Sequence, residues 1–465
     1  MVVGEVAETT EVLVIGAGPG GYAAAIEAAH LGRQVTLVER GRIGGVCLNV
    51  GCIPSKALIH AADLASGPAD AASWGVDLSA TVDMSAVHHR IGEVVSTLTG
   101  GVERLLHAAG VRVEQGTARF ARRRKVVIDG GDEVKHFEFD HCIIATGSRP
   151  LELPALPFDG SRVLDSTGVL ALESVPASLA VVGGGYIGME LGTALAKLGS
   201  QVTVVEMADS ILPGIDPRLT RVVARRLRGL GITVLTGARA TGLTDDSLVV
   251  AAAQGEIAVP ATKVLVAAGR VPNTDDLGLE VAGIELTPSG HIEVGPDRRA
   301  TPDILAIGDI TDGPALAHKA TAEAEVAART VSGLVAAFDP AAIPLVVFSD
   351  PEVASVGATL DRARSEDPAA TEYRFPYTAG SRSHTMGHTE GFVQMVADSA
   401  GTVVGVHMVG AGVSELAGEA ALAVEMGATL EDLAATIHPH PTMSEGLVEA
   451  AKAASGHPLH VLPRR

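Results

Sequence analysis

Two cysteines in a short glycine-rich stretch are the residues of this sequence best suited to redox chemistry. Cys47 and Cys52 are separated by residues 48–51 and followed by Pro54-Ser55-Lys56. In a regular α-helix their Cα atoms would be roughly 8–9 Å apart, whereas a disulfide needs about 4.4–6.8 Å. If the two cysteines form a disulfide, the backbone between them must depart from a helix, and Gly51 permits that.

A disulfide at this position would close a loop too short to add much chain-entropy stabilisation. Its expected use is chemical, as a dithiol that opens and closes; alternatively, Cys47 and Cys52 are a fortuitous pair of buried thiols. The third cysteine, Cys142, lies in an apolar run and is predicted to be a core residue of a strand. Three cysteines in 465 residues do not make a disulfide framework.

Two copies of a nucleotide-binding pattern must position these residues. The first copy has a buried strand at 11–15 and then Gly16, Gly18 and Gly21 in the spacing GxGxxG. An Ala-rich helix and a second strand ending at Glu39 follow. The glycines let a pyrophosphate approach the backbone at a helix N-terminus, and the acid accepts hydrogen bonds from ribose hydroxyls.

The second copy repeats every element of the first. A strand at 178–182 leads to Gly183, Gly185 and Gly188, then to a helix and a strand that ends at Glu206. In both copies the acid follows the first glycine by 23 residues (16 to 39 and 183 to 206). Two dinucleotides are therefore expected, a flavin and a nicotinamide, unless one copy is a decayed duplicate. Glu206 favours NAD, because it accepts from the ribose 2′-OH and repels the 2′-phosphate of NADP.

The cysteine stretch and both glycine patterns together resemble the pyridine nucleotide-disulfide oxidoreductases. The ending Ile53-Pro54-Ser55-Lys56 is most similar to the dihydrolipoyl dehydrogenases of that family. The resemblance implies oxidation of protein-bound dihydrolipoamide by NAD⁺ through a redox disulfide and FAD. Such an enzyme is the E3 component of 2-oxo acid dehydrogenase or glycine cleavage complexes. The alternative is a glutathione-reductase-like enzyme of the same family, which would use NADP and is opposed by Glu206.

The fold that the resemblance implies is α/β, with two Rossmann-like dinucleotide-binding domains, for FAD and NAD, and a C-terminal α+β dimerisation domain. We expect an FAD-binding domain over residues 1–150, which includes the cysteines, and an NAD-binding domain over 151–275. The chain would return to the FAD-binding or central domain over 276–345 and end in the dimerisation domain over 346–465.

The catalytic residues carried over from the family are two thiols and a histidine–glutamate pair. Cys47 would be the interchange thiol that meets the substrate, and Cys52 the thiol that faces the flavin. His440 with Glu445 matches the family's His-Pro-x-x-x-Glu dyad, in which the histidine is the base and comes from the other subunit. The origin of this histidine in the other subunit implies a homodimer. His438 is also followed by proline, but it lacks an acid at the matching position.

Further residues are expected to bind the two cofactors. Lys56 would lie near flavin N5, where a cation stabilises developing negative charge. Glu190 would be its ion-pair partner or an NAD contact, or else an ordinary helix-surface charge. The residues expected at FAD are Gly16, Gly18, Gly21, Glu39, Lys56, Ala118, Thr146, Gly147, Asp309 and Ala317, and those expected at NAD are Gly183, Gly185, Gly188, Glu190, Glu206 and Gly269.

Three features admit two interpretations each. His318 and Lys319 lie beside the flavin or are solvated residues at a helix start. Tyr186 covers the nicotinamide pocket or is a packing residue. His384 and His388 have a spacing that suits a metal, but no acid or cysteine completes a site, so a solvated loop and no metal are expected.

The charge and the apolar pattern exclude several kinds of partner. A formal net charge of −20 argues against nucleic acid and anionic membrane surfaces. We expect no membrane span and no signal peptide, and hence a cytoplasmic location. The resemblance implies a homodimer and an E2 acyltransferase partner, through its lipoyl domain and its peripheral subunit-binding domain. Acids near the C-terminus could meet a basic E2 domain: Glu415, Glu419, Glu425, Glu431 and Asp432.

Overall fold

The computed structural model describes residues 7–462, in which strands and helices alternate along most of the chain. The strands are β1 (Glu8–Ile15), β2 (Val35–Glu39), β3 (Arg112–Gln115), β4 (Thr117–Arg122), β5 (Lys125–Asp129), β6 (Val134–Ile144), β7 (Ser148–Pro150), β8 (Val163–Leu164), β9 (Ser178–Val182), β10 (Gln201–Val205), β11 (Thr233–Leu235), β12 (Arg239–Leu243), β13 (Ser247–Ala252), β14 (Gly255–Pro260), β15 (Lys263–Val266), β16 (Arg270–Pro272), β17 (Ile304–Ala306), β18 (Leu345–Val347), β19 (Glu352–Gly357), β20 (Thr371–Pro376), β21 (Phe392–Ala397) and β22 (Val403–Gly410). The helices are α1 (Pro19–His30), α2 (Gly45–Val50), α3 (Cys52–Ser73), α4 (Met84–Ala108), α5 (Ser166–Leu170), α6 (Tyr186–Lys197), α7 (Pro217–Gly229), α8 (Ala317–Val331), α9 (Leu360–Glu366), α10 (Ser381–Met386), α11 (Val413–Glu425), α12 (Leu430–Ala435) and α13 (Glu445–Ala454).

The chain divides into two compact units, and the first comprises Met1–Ala57, Ala86–Leu151 and Gly269–Asp339. Its main sheet has the order β3-β2-β1-β6-β5-β4, with β17 also paired to β6. Strands β3, β2, β1, β6 and β17 run parallel, and β5 and β4 run antiparallel. The centre of a parallel sheet is covered on both faces, and the central runs 12–15 of β1 and 142–144 of β6 are accordingly apolar and buried. Cys142 pairs with Leu13 and Ile304 there and is fully buried, which confirms the predicted core role.

The second unit comprises Leu58–Ser85, Glu152–Ala268 and Pro340–Arg465. It contains a parallel sheet of order β11-β10-β9-β15-β8 and an antiparallel one of order β12-β13-β14. A third sheet, antiparallel and of order β18-β19-β22-β21-β20, packs against α11 and α13. The predicted α/β fold class, with an α+β region toward the C-terminus, is thus present. The expected boundaries of four domains remain a prediction.

The strands of the two glycine patterns agree with the expected bounds. Strand β9 covers residues 178–182 as predicted, β2 ends at Glu39, and β10 ends directly before Glu206. Helix α3 runs from Cys52 to Ser73 and contains Pro68. A proline in a helix interior removes one backbone donor, so α3 continues past a residue that usually marks a helix end.

One segment corrects the expectation that no apolar stretch could span a membrane. The helical region Gly45–Ser73 is long and apolar enough to cross a bilayer by length and composition alone. This is weak evidence, because core helices of soluble proteins and signal sequences meet the same criterion. The segment also contains both cysteines and the interruption between α2 and α3.

Candidate active site

The two thiols lie on separate helices, because the chain leaves the helical conformation between them. Cys47 is in α2, Cys52 opens α3, and Gly51 between them has φ −132° and ψ −107°. No disulfide joins these two cysteines in the structure. A hydrogen bond between the two thiols, together with burial, raises the pKa of Cys47 well above its ordinary value. A Cβ atom at position 51 would lie 2.9 Å from the carbonyl oxygen of Val46, so this turn requires glycine.

Two charged side chains also act on Cys47, with smaller and opposite effects. The cation of Lys56 lowers the pKa of this thiol, and the carboxylate of Asp309 raises it. Lys56 lies one helical turn beyond Cys52 on α3. The first unit therefore brings together four of the expected site residues around one dithiol. Because the thiolate is the reactive form, a nearby cation favours the chemistry of this pair.

The first glycine pattern forms a tight loop at the start of α1. Gly16 has φ +99°, and a Cβ atom there would overlap the carbonyl oxygen of Ala145. A Cβ atom on Gly21 would overlap the carbonyl oxygen of Gly16. Gly18 is the N-cap of α1 and gives no side-chain cap, so N–H groups of the first helical turn remain available for an anion. The backbone conformation of this loop fits a dinucleotide pyrophosphate.

The two acids of the repeated pattern make the same pair of hydrogen bonds. Glu39 accepts from the N–H of Ala17 at 2.7 Å and from that of Gly41 at 2.7 Å. Glu206 accepts from Gly184 N–H at 2.6 Å and from Ala208 N–H at 2.7 Å. Each carboxylate oxygen has two lone pairs, so each still has capacity for a ribose hydroxyl. The acids are part of the loop as well as candidates for ribose recognition.

Asp309 is held by a short chain of hydrogen bonds within the first unit. The hydroxyl of Ser148 donates to the Asp309 carboxylate. Arg270 donates through Nε to the same hydroxyl at 2.7 Å and through Nη2 to the Ser148 carbonyl at 2.7 Å. The sequence did not single out Ser148 or Arg270, because their contact depends on strands β7 and β16 pairing across a long insertion.

The turn before β7 is held from the opposite strand. Thr146 donates to the carbonyl of Asn273 at 2.7 Å, and the Asn273 side-chain amide donates to the Thr146 carbonyl at 2.9 Å. Gly147 occupies the left-handed region at φ +68°. Ala118 on β4 has its side chain in the core, so any cofactor contact there would come from the backbone. Ala317 is the first residue of α8.

A buried ionic cluster stands behind the Asp309 loop, and the sequence did not reveal it. Lys319 is 2% exposed and donates to the Gly308 carbonyl at 3.1 Å and to the Thr311 hydroxyl at 3.0 Å. Glu323 is fully buried, accepts from Gly308 N–H at 2.6 Å and pairs with Arg298 at 2.9 Å. The interpretation of Lys319 as a solvated residue is therefore wrong. In sequence, Lys319 and Glu323 look like an ordinary helix-surface pair at i and i+4.

Most of the expected NAD residues lie in the second unit. Gly183 has φ +110°, and Gly185 is the N-cap of α6, again with no side-chain cap. A Cβ atom on Gly188 would overlap the Gly183 carbonyl oxygen. Glu190 is 3% exposed and accepts from Phe348 N–H at 3.0 Å, so it is not a surface charge. Tyr186 is the first residue of α6. Gly269, at φ +138°, belongs to the first unit instead.

The histidines His438 and His440 differ in exposure and in hydrogen-bond partners. His440 is 67% exposed, and its Nδ1 is 2.8 Å from Oε1 of Glu445, the first residue of α13. His438 is only 7% exposed, with Nε2 at 2.6 Å from Glu419 and Nδ1 at 3.0 Å from the Thr436 carbonyl. His440 thus has one ring nitrogen oriented by a carboxylate and a largely exposed ring, as a general base requires.

Neither His384 nor His388 belongs to a metal-binding cluster in the described part of the chain. Nε2 of His384 lies 2.8 Å from the Thr378 carbonyl. Among residues 7–462, no group of three or more His, Cys, Asp or Glu side chains is arranged to hold a metal ion.

Family models and relatives agree with this arrangement. Residues 10–324 match the pyridine nucleotide-disulphide oxidoreductase model, and residues 343–451 match the dimerisation domain of the same family. The chain belongs to the pyridine nucleotide-disulphide oxidoreductases, and its dimerisation domain indicates a homodimer.

Several relatives at full length carry a more specific name. A dihydrolipoyl dehydrogenase of Geobacillus stearothermophilus is 47% identical over 471 residues, covering 100% of both chains. One of Halobacterium salinarum is 47% identical with the same coverage, and one of Bacillus subtilis is 45% identical, covering 99% of this chain and 100% of the relative. The chain is an FAD- and NAD-dependent oxidoreductase of this type.

Solved structures show the same fold. LpdA from Mycobacterium tuberculosis superposes with a TM-score of 0.89 at 29% identity, covering 96% of this chain and 99% of that one. The HOCl-induced flavoprotein disulfide reductase RclA from Escherichia coli, solved as a Cu(II) complex, gives 0.85 at 26% identity and covers 96% and 99%.

Proposed function

We propose that this enzyme oxidises dihydrolipoamide attached to a partner protein, with Cys47, Cys52, His440 and Glu445 as its catalytic residues. Two features of the structure support this proposal, the neighbouring thiols and the histidine–carboxylate pair. Two thiols within hydrogen-bonding reach lie on either side of Gly51, and an exposed histidine is oriented by a carboxylate. A dithiol substrate needs both parts, since one exchanges electrons and the other removes protons.

The first half of the reaction uses the oxidised form of the cysteine pair. His440 takes a proton from one thiol of dihydrolipoamide, and the resulting thiolate attacks the sulfur of Cys47. The Cys47–Cys52 bond breaks, and the bonding pair leaves on Cys52. The second substrate thiol then loses its proton and attacks the mixed disulfide, which closes lipoamide and releases Cys47. Lipoamide is oxidised and the cysteine pair is reduced, so atoms and electrons balance.

The second half of the reaction returns the cysteine pair to the disulfide. FAD, when bound, would supply the two-electron chemistry that links the dithiol to NAD⁺. Lys56, whose cation lowers the pKa of Cys47, would also stabilise negative charge on a bound flavin. Gly16, Gly18, Gly21, Glu39 and Asp309 would hold FAD, and Gly183, Gly185, Gly188 and Glu206 would hold NAD. The uncapped helix starts and the crowded glycines of both loops support this assignment.

We further propose that His440 deprotonates the substrate at the site that contains Cys47 of the partner subunit. The test mixes His440→Ala subunits with Cys47→Ser subunits. If the site is shared, each heterodimer contains one site with both lesions and one intact site, and should recover about half the wild-type activity by two-fold symmetry. No recovery, with heterodimers confirmed by native mass spectrometry, would place both residues in one chain. The parent homodimers serve as inactive controls.

An E2 acyltransferase is the proposed partner, through its lipoyl domain and its peripheral subunit-binding domain. Three of the five acids suggested for docking are engaged within their own chain. Glu419 contacts His438, and Glu425 accepts from Ala341 N–H at 3.0 Å. Asp432 accepts from the N–H of Thr429, the N-cap of α12, at 2.9 Å. Glu415 and Glu431 are exposed and remain the better candidates.

Binding of the E2 subunit-binding domain to Cys47→Ser enzyme separates docking from catalysis. Retained, salt-sensitive binding that Glu415→Gln/Glu431→Gln weakens would support the docking proposal, whereas failure to bind would exclude it.

A cytoplasmic location remains a prediction.

A further inference from the structure

Helix α7 carries a density of positive charge that contrasts with the rest of this acidic chain. Its thirteen residues contain five arginines and no acid, in a protein whose formal net charge is −20. Like charges one turn apart repel by about 0.2–0.5 kcal/mol per pair in a helix. Two of the arginines have acidic partners, since Arg218 pairs with Asp216 and Arg226 with Asp350.

A cleft of about 410 Å³ opens beside this helix, within the second unit. Four arginines line it, three from α7 and one from β20, together with the hydroxyl residues Thr378 and Thr389. The lining arginines are Arg218, Arg221, Arg225 and Arg374. A volume of this size is in the range of small-molecule sites.

Two of the four arginines are fixed by neighbouring side chains. Arg218 pairs with Asp216 at 2.5 Å and with Glu372. Arg374 lies over the ring of Phe392, 4.4 Å from its centroid, and donates to Gln394 at 2.9 Å. These contacts form a rigid wall whose positive charge is partly neutralised.

The other two arginines are exposed at the cleft. Arg221 and Arg225 are one helical turn apart, and neither makes an ion pair within residues 7–462. The one acid that lines the cleft is Glu390, which leaves an excess of positive charge. A guanidinium group binds phosphate through two parallel hydrogen bonds. Two such groups at the spacing of one turn match a ligand with two adjacent phosphates.

We propose that this cleft is an additional anion site, separate from the two dinucleotide loops, that binds a small molecule bearing a pyrophosphate group through Arg221 and Arg225. The concave shape favours a small ligand, because a stable protein interface covers about 800 Å² on each partner. The fixed side chains of Arg374 and Phe392 form one wall, and the hydroxyls of Thr378 and Thr389 supply further donors.

The test is calorimetric titration of the FAD-loaded dimer with inorganic pyrophosphate, in saturating NAD⁺ so that the dinucleotide site is occupied. We expect saturable binding that Arg221→Gln/Arg225→Gln weakens by at least about tenfold, since each removed guanidinium takes charge-assisted hydrogen bonds with it. The matched control is Arg228→Gln/Arg239→Gln, which removes the same charge from exposed positions that do not line the cleft. The affinity of this control variant for pyrophosphate should stay within about twofold of wild type.

Three results would overturn the proposal. Pyrophosphate that fails to bind when NAD⁺ is saturating would mean that the only phosphate site is the dinucleotide site. Equal weakening by both double variants would mean general electrostatic attraction. Binding of hexaglutamate without binding of pyrophosphate would make the cleft a surface for acidic peptides. Unchanged circular dichroism and FAD content in both double variants would show that any loss is local.

Discussion

His440 and Glu445 are joined by a hydrogen bond of 2.8 Å between Nδ1 and Oε1. The second oxygen of the Glu445 carboxylate accepts from Thr442 N–H at 2.9 Å, so the acid cannot rotate freely. Both contacts lie within the turn that leads into α13. The carboxylate therefore fixes both the ring orientation and the tautomer of the histidine, which leaves Nε2 to exchange protons with substrate.

Replacing His440 should separate the two halves of the reaction. We expect His440→Ala to lower dihydrolipoamide oxidation by about two orders of magnitude or more, the usual contribution of a general base. NADH-dependent reduction of an artificial acceptor should remain near wild type, because that reaction needs no proton from a thiol substrate. Glu445→Ala should show a weaker loss, since it orients the base. The exposed His457 provides the control His457→Ala, which should leave both activities unchanged. If His440→Ala lowered dihydrolipoamide oxidation and acceptor reduction equally, the assignment of His440 as the base would be refuted.

Glu445 should also make stability depend on pH in the acidic range. Burial raises its pKa, but the hydrogen bonds from His440 and from Thr442 N–H outweigh this and hold the pKa below its ordinary value of 4.5. A carboxyl whose pKa is depressed on folding stabilises the folded state above its unfolded pKa, and this is lost as pH falls through the folded pKa. The stability difference between wild type and Glu445→Gln should be constant near neutral pH and shrink below about pH 4.5. Urea denaturation at several pH values measures this stability difference. A difference that widens in acid would contradict a depressed pKa of Glu445.

Glu206 should control the choice of nicotinamide cofactor. In Glu206→Arg, attraction replaces repulsion of the 2′-phosphate, so the ratio of kcat/KM for NADP to that for NAD should rise by at least about tenfold. The variant also loses the acceptor for Gly184 and Ala208, so its melting temperature should fall. Glu173→Arg makes the same charge change at an exposed position of the second unit and should alter neither quantity. An unchanged cofactor ratio in Glu206→Arg would show that this acid does not face the ribose.

The buried cluster behind Asp309 should govern how tightly the flavin is retained. Lys319→Met keeps the length of the side chain but removes the donor to Gly308 and Thr311 and the ion pair of Lys319 with Glu323, whose charged atoms are 3.2 Å apart. Breaking a buried ion pair costs about 3–5 kcal/mol. We expect faster loss of FAD, seen as a rise in free-flavin fluorescence during dialysis. Lys452→Met, in the last turn of α13, is the control for loss of one lysine. FAD retention equal to wild type in Lys319→Met would mean that the cluster is structural only.

Local sequence patterns predicted the strands and loops that position the site. Glycine loops and strand ends are determined by residues close in sequence. Strand β9 has the bounds expected, and the interruption at Gly51 follows from the spacing of Cys47 and Cys52. The contacts of Ser148 with Arg270 and of Lys319 with Gly308 could not be predicted in this way. The first depends on two strands that meet across a long insertion. The second depends on a helix face that turns inward although its charges suggest a solvated surface.

The shared geometry of Glu39 and Glu206 has a consequence for how such loops diverge. Each acid is already held by two backbone N–H groups of its own loop. Selection for a correctly folded loop would therefore preserve the acid in a duplicated copy even after that copy had lost its ligand. Conversely, an engineer who replaces the acid to change ligand preference must also supply a new acceptor for the loop. A glycine pattern with a distant acid is thus evidence of how a loop is built before it is evidence of what the loop binds.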